Sequence, residues 1–115
     1  MTRGDDRTTQ TLRDIIEFSE QAERLVAHGV EEFESNEFLR LAAEAIIHRL
    51  GEAVNRLPQD FIIEHPDVSW RAMKGTRNIV AHNYNAVDYR IIWRALSENV
   101  PNDAARIGTI LGLAE

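Results

Sequence analysis

At 115 residues, with no cysteine and a formal net charge of −6, the chain is the size of one ordinary domain and can bury roughly two-thirds of its unfolded surface. Without cysteine there is no disulfide, thiolate nucleophile or cysteine-based zinc site, which fits a cytoplasmic protein. The start, Met1-Thr2-Arg3-Gly4-Asp5-Asp6-Arg7, is polar and lacks an apolar signal core, and no apolar run approaches the roughly 18 residues of a membrane span. The expectation is a soluble, cytoplasmic domain over residues 1–115, away from membranes and flexible over 1–7.

Every long segment carries a helical period and none alternates as a convincing strand, so the class is all-α. Thr11 with Asp14 resembles a capping box ahead of Leu12, Ile15, Ile16, Ser19, Ala22 and Val26, and Gly29 is placed to end this first helix. Ser35 or Asn36 can cap a second helix, with the stripe Phe38, Leu41, Ala42, Ala45, Ile46, Leu50, Ala53, Val54 and Leu57, until Pro58 stops it. A short helical turn covers Pro58 to Glu64, and Pro66 pushes His65 into an extended conformation. Ser69 caps a helix starting near Trp70; Asn83 and Asn85, which tolerate left-handed backbone, place its end near His82. Asp88 opens another helix with Ile91, Ile92, Ala95 and Leu96 inward, ending at Val100 before Pro101, and a last helix runs from about Asn102 to Leu111. Four substantial helices with short connections make an antiparallel four-helix bundle with a short additional C-terminal helix.

The acidic balance argues against a nucleic-acid partner until its distribution is read. Between Trp70 and Arg94 stand five basic residues, Arg71, Lys74, Arg77, Arg90 and Arg94, against the single acid Asp88; the remainder has eight basic and eighteen acidic residues. A basic patch on an acidic body suits a partner engaged at one place, and RNA is the natural candidate for Arg71, Lys74, Arg90 and Arg94; chance clustering on a solvated helix face is the bland alternative. Inside the patch lies Arg77-Asn78-Ile79-Val80-Ala81-His82-Asn83-Tyr84. RNA carries its own nucleophile, the 2′-hydroxyl, so a protein can cleave it without metal by moving a proton and stabilising charge on phosphorus. His82 is the natural acid or base, Arg77 the natural clamp, and Asn78 a group that can orient either.

At about 100° per residue, Arg77 and Tyr84 share one face of a continuous helix while His82 sits roughly 140° from Arg77. The three cannot converge on a straight helix. Either the backbone unwinds at His82-Asn83 or a second copy completes the site, since an isologous dimer would supply a second histidine and arginine. Taken singly, Arg77 also reads as a surface salt bridge, His82 as a helix-terminal residue bonded to carbonyls, and Tyr84 as a packing aromatic. Trp70 and Trp93 can stack bases but at helical spacing read as core. His28, His48 and His65 lack metal-ligand spacing, and no Glu-x-x-His accompanies Glu31, Glu32, Glu44 or Glu52, so no metal and no cofactor are expected. Glu52 is a candidate partner for a basic residue near the motif.

The segment resembles the HEPN superfamily, and within it the HepT-like toxins paired with minimal nucleotidyltransferase antitoxins. The family motif Arg-x4-His-x-Tyr is matched by Arg77, His82 and Tyr84. Further likeness lies in Leu12-Arg13-Asp14-Ile15, Gly51-Glu52-Ala53-Val54, Trp70-Arg71, Gly75, Asn78, Val87-Asp88 and Ile92-Trp93, while Thr76 departs from the apolar residue common before the Arg-Asn pair. The resemblance implies a metal-independent endoribonuclease toxin acting as a homodimer, with Arg77 and His82 catalytic. It also implies inactivation by an antitoxin that attaches AMP to Tyr84. Two other readings stay open: a non-catalytic HEPN module that binds a nucleotide or a nucleotidyltransferase, and a helical dimer whose basic patch holds acidic partners.

Overall fold

The first helix of the computed structural model, which describes residues 3–74 and 87–114, starts well upstream of Thr11. Helix α1 spans Arg3–Val26. Thr11 therefore sits mid-helix and makes no capping box: its Oγ1 donates to the Arg7 carbonyl at 3.0 Å, and Gln10 Nε2 donates to Asp14 Oδ1 at 3.0 Å. An in-helix hydroxyl back-bond of this kind is the alternative use of a threonine that reads as a cap in sequence. The buried face of α1 is Leu12, Ile15, Ser19, Ala22 and Leu25.

Gly29, at φ +89°, reverses the chain in a conformation that disfavours any side chain. It leads into α2, Val30–Ser35, a helix that the periodicity did not announce. Six residues cannot hold a helix by propensity alone. This one is fixed by Phe33, which is 1% exposed, and by Arg40, whose Nη1 donates to the carbonyls of Phe33 and Glu34 at 3.2 and 2.6 Å. Asn36 then caps α3, Glu37–Asn55, by accepting from the N–H groups of Phe38 and Leu39. Its buried residues are Ala43, Ile46, Ile47, Leu50, Gly51, Ala53 and Val54. The expected stripe is corrected in its first half, where Phe38, Leu41, Ala42 and Ala45 face outward. That half is apolar around most of its circumference, so periodicity alone could not tell the two faces apart.

Helix α4, Gln59–Glu64, follows Pro58; His65 before Pro66 leaves the helix at φ −126° and ψ 64°, which is neither helical nor the extended conformation expected of it. The run 70–74, the described part of α5, begins at Trp70, with Ser69 at the cap position and its carbonyl accepting from Met73 N–H at 3.1 Å. Asp88 caps α6, Tyr89–Arg94, by accepting from Arg90 N–H. Ile92, Ala95 and Leu96 point inward, whereas Ile91 is 47% exposed.

Beyond Arg94 the helix does not stop at Val100. A π turn over Ala95–Asn99 widens the ladder, with Val100 N–H reaching the Ala95 carbonyl, and α7 continues as Val100–Ala114. Pro101 brings no N–H, and its ring clashes with the carbonyl four residues back in regular α geometry; the wider turn accommodates both effects, and Pro101 falls in the first turn of α7. Helix α1 packs mainly on α3 and α7, with α2 and α6 against α3. The result is an all-α bundle; among the described residues no strand is present and no helix is long and apolar enough to cross a membrane.

Candidate functional site

Arg77, Asn78, His82 and Tyr84 lie outside the described residues, as do the expected helix end near His82 and the asparagine turn. The structure gives the two shoulders from which this segment is strung, and both are anchored to the core.

The incoming shoulder is α5. Trp70 is 4% exposed, donates from Nε1 to the His65 carbonyl at 2.8 Å, and meets Phe61 edge-on at 6.0 Å between ring centroids. It is a core residue, as its helical spacing indicated. One residue earlier, Ser69 N–H donates to Asp103 Oδ1 at 3.0 Å, across from α7. Asp103 is 2% exposed and lies 3.7 Å from Arg106 Nη1, which also donates to the Asp67 carbonyl at 2.7 Å. A buried carboxylate thus fixes the start of the helix that leads into the motif. Replacing it strands the Ser69 N–H away from water, so Asp103→Ala should lower unfolding free energy by about 2 kcal/mol. Urea denaturation checks this, and a loss below about 0.5 kcal/mol, within the ordinary scatter of surface changes, would show the contact to be incidental.

The outgoing shoulder is Asp88-Tyr89. Tyr89 donates its hydroxyl to Glu44 Oε2 at 2.7 Å, its ring lies 5.7 Å beneath the Arg40 guanidinium, and its edge meets Phe33 at 6.2 Å. The hydrogen bond to Glu44, then partial burial, then the carboxylate charge hold the Tyr89 hydroxyl above its ordinary ionisation range. Glu44, weighed as a metal ligand in the sequence, is instead the acceptor that ties α6 to α3. Trp93, one turn on, packs against Phe33 with centroids 5.0 Å apart.

The basic patch is part-neutralised where it is described. Arg90 meets Asp88 through Nε and Nη2, each at 3.2 Å, and this pairing, with the Arg90 backbone N–H, draws the exposed Asp88 carboxyl below its usual range. Because the folded value is depressed, the cap is strongest above the ordinary carboxylate pKa and is lost as pH falls through the lowered one. Arg94 lies 4.0 Å from Glu98, and both arginines are largely exposed, so these pairs can open to a phosphate at little cost. Arg71 is exposed and Lys74 half-buried at the other shoulder. Between α2 and α6 lies a groove of about 290 Å³ with Phe33, Tyr89 and Trp93 in its wall and Arg90 and Arg94 at its rim.

The model of the HepT-like family, described as ribonuclease HepT-like, matches residues 15–110, from the middle of α1 to the last turns of α7. The chain belongs to this family. A candidate RNase of Methanocaldococcus jannaschii is 32% identical over 102 residues, covering 89% of this chain and 79% of the relative. A second from that organism is 33% identical over 92 residues, with 80% and 79% covered. A Thermococcus cleftensis protein named "Probable ribonuclease HepT" is 28% identical over 102 residues, with 89% and 91% covered. No solved structure matches the chain.

Two contacts that brace the motif of this HepT-like chain were not anticipated, Glu44 with Tyr89 and Asp103 with Ser69. Asp103 had a signal, because it stands one turn before Ile107 on the inward stripe of α7, where a carboxylate needs a partner. Glu44 had none, since a carboxylate at the edge of an apolar stripe reads as solvated.

Proposed function

We propose that this HepT-like chain is a metal-independent endoribonuclease, the toxin of a toxin–antitoxin pair, acting in the cytoplasm as a homodimer whose two motif segments share one cleft. The observation that carries this reading is the family match across residues 15–110, which spans Arg77, Asn78, His82 and Tyr84. The basic residues that flank the motif in the chain, Arg71, Lys74, Arg90 and Arg94, support it, because clustered positive charge suits a phosphate backbone.

In the proposed reaction, His82 accepts the proton of the 2′-hydroxyl as that oxygen bonds to phosphorus, and the bond from phosphorus to the 5′ oxygen breaks. The histidine of the second copy protonates the departing oxygen, and Arg77 stabilises the negative charge that builds on phosphorus between these events. Asn78 orients one or both groups. Arg71, Lys74, Arg90 and Arg94 hold flanking phosphates.

Tyr84 is the switch. A minimal nucleotidyltransferase attaches AMP to its hydroxyl, and the added phosphodiester, two residues from His82, fills the cleft and offers Arg77 a competing anion. After co-expression with such a nucleotidyltransferase, intact-mass analysis should show at least one adenylyl adduct that Tyr84→Phe abolishes; an unmodified wild-type chain would overturn the regulatory claim. RNA degradation by the purified chain in the presence of a chelator tests the activity itself.

A further inference from the structure

The groove between α2 and α6 has an aromatic floor and differently charged sides. Phe33 backs the floor, its ring 5.0 Å from that of Trp93 and 6.2 Å from that of Tyr89; at 1% exposed, it braces the other two rings and leaves contact to them. Tyr89 is already engaged, on its hydroxyl by Glu44 and on one face by Arg40. Trp93 is half-buried, and among the described residues its indole N–H meets no acceptor, whereas a tryptophan set in a core ordinarily finds one. A ring braced from behind with an unused donor is a platform for stacking. On the α6 side stand Arg90 and Arg94, with side chains 88% and 76% exposed, whose exposed partners Asp88 and Glu98 yield readily to a phosphate. On the α2 side stands Glu34, an exposed carboxylate without a side-chain partner among the described residues. The volume of about 290 Å³ lies at the lower end of small-ligand sites, roughly 300 Å³ upward, the scale of one nucleoside.

We propose that this groove is a base-recognition subsite for the RNA substrate, taking one unpaired guanine whose ring stacks on Trp93, whose phosphate meets Arg90 and Arg94, and whose Watson–Crick edge is read by Glu34. The inference deepens the proposed function and rests on its RNA substrate. Stacking on an aromatic ring with hydrogen bonds to the base edge is how proteins read single-stranded RNA. The carboxylate selects the base. Guanine presents an imino N–H and an amino group side by side, and the two oxygens of Glu34 can accept from both. Adenine and cytosine present one amino group beside a ring acceptor that repels the second oxygen, and uracil sets its imino N–H between two carbonyl oxygens. Charge also orients the nucleotide: a phosphate at Glu34 would meet like charge, so the phosphate goes to the α6 side and the base edge to α2.

The test uses the full chain with 2′-O-methyl uridine tetranucleotides carrying one guanine, adenine or cytosine, or none. These strands lack the 2′-hydroxyl nucleophile, so they report binding apart from cleavage. Affinity is read from the fluorescence anisotropy of a labelled strand and contact from quenching of Trp93, with the buried Trp70 as a constant background. The guanine strand should quench Trp93 and bind at least about tenfold tighter than the all-uridine strand, the scale of one bidentate base contact. Glu34→Gln should cut that preference to under about threefold, because the amide replaces one acceptor with a donor. Trp93→Leu should weaken binding of the guanine strand by about tenfold or more, the scale of one stacked base. Circular dichroism checks both variants, and Glu34→Gln, on an exposed position, decides the matter alone where Trp93→Leu fails to fold. Equal affinity for the four strands, a guanine preference that survives Glu34→Gln, or guanine binding without quenching would each overturn the proposal. The activity reading fails separately: guanine-selective binding under the control of Glu34 with natural RNA left intact keeps the subsite and sinks the ribonuclease, whereas cleavage with equal affinity for the four strands keeps the ribonuclease and sinks the subsite.

Discussion

His82→Ala is expected to lower the rate of RNA cleavage by about 10²- to 10⁴-fold, the usual contribution of a positioned proton-transfer group. Arg77→Ala should cost about 10²- to 10³-fold, the scale of removing one preorganised donor to a charged transition state. The two losses arise differently. Imidazole is the one side chain whose ordinary pKa, near 6.5, lets it both take and give a proton at neutral pH, so no neighbouring Asn or Tyr substitutes for it. Guanidinium instead offers two parallel hydrogen bonds to phosphate, and Arg77→Lys should recover only part of the rate because an ammonium supplies charge without the fork. The contacts that fasten the shoulders, Ser69 to Asp103 and Tyr89 to Glu44, are made by other residues, and circular dichroism checks that each variant whose rate is compared is folded. Full activity in both alanine variants would remove the proposed site.

Phe33→Ala should be the most damaging single change to stability, lowering unfolding free energy by about 3 to 5 kcal/mol. Phe33 is 1% exposed, on a six-residue helix that has little else to hold it, and its ring supports both Trp93 at 5.0 Å and Tyr89 at 6.2 Å. Truncation leaves a cavity under two elements and one contact: α2 loses its anchor, α6 its floor, and the Tyr89–Glu44 hydrogen bond its backing. A domain of this size has roughly 5 to 15 kcal/mol in total, so the variant should sit near the edge of folding. Urea titration checks the value, and a loss under about 1 kcal/mol would mean that the aromatic cluster is not the brace described. Because Tyr89 leads out of the motif, part of the loss should also appear as reduced cleavage by protein that remains folded.

How much of this could be read from the chain depended on how local the cause was. Asp88 as a cap, Asn36 as one of two candidate caps, Gly29 as a residue just past the end of the first helix, Pro58 as a stop and the start of α5 at Trp70 all follow from one or two residues acting on their own backbone, and each was legible. The inward set Leu12, Ile15, Ile46, Leu50, Val54, Ile92 and Leu96 followed from the helical period. Where two local signals compete, the tertiary environment chose. Thr11 could cap or back-bond, and α1 extends past it; Pro101 could end a helix or follow a π turn, and it does the latter. Phe38 and Leu41 fit the period of a core stripe but lie outside, because a helix apolar on two faces has two candidate cores and only packing selects one. Helix α2 was illegible because what holds it, the packing of Phe33 against Tyr89 and Trp93 and the hydrogen bonds from Arg40, comes from outside its own six residues. The motif at Arg77, His82 and Tyr84 was read from its chemistry and through family resemblance and lies outside the described residues, whereas the contact of Glu44 with Tyr89 came only with the fold.

The central claim is that this HepT-like chain cleaves RNA through the substrate's own 2′-hydroxyl without a metal ion. The most direct measurement is end analysis of a defined RNA after incubation with purified wild-type protein in excess chelator. Attack by the 2′ oxygen with loss of the 5′ oxygen must leave a 2′,3′-cyclic phosphate on one fragment and a 5′-hydroxyl on the other, and those ends are predicted. Fragments ending in 3′-hydroxyl and 5′-phosphate, or cleavage that appears only when divalent metal is restored, would contradict it.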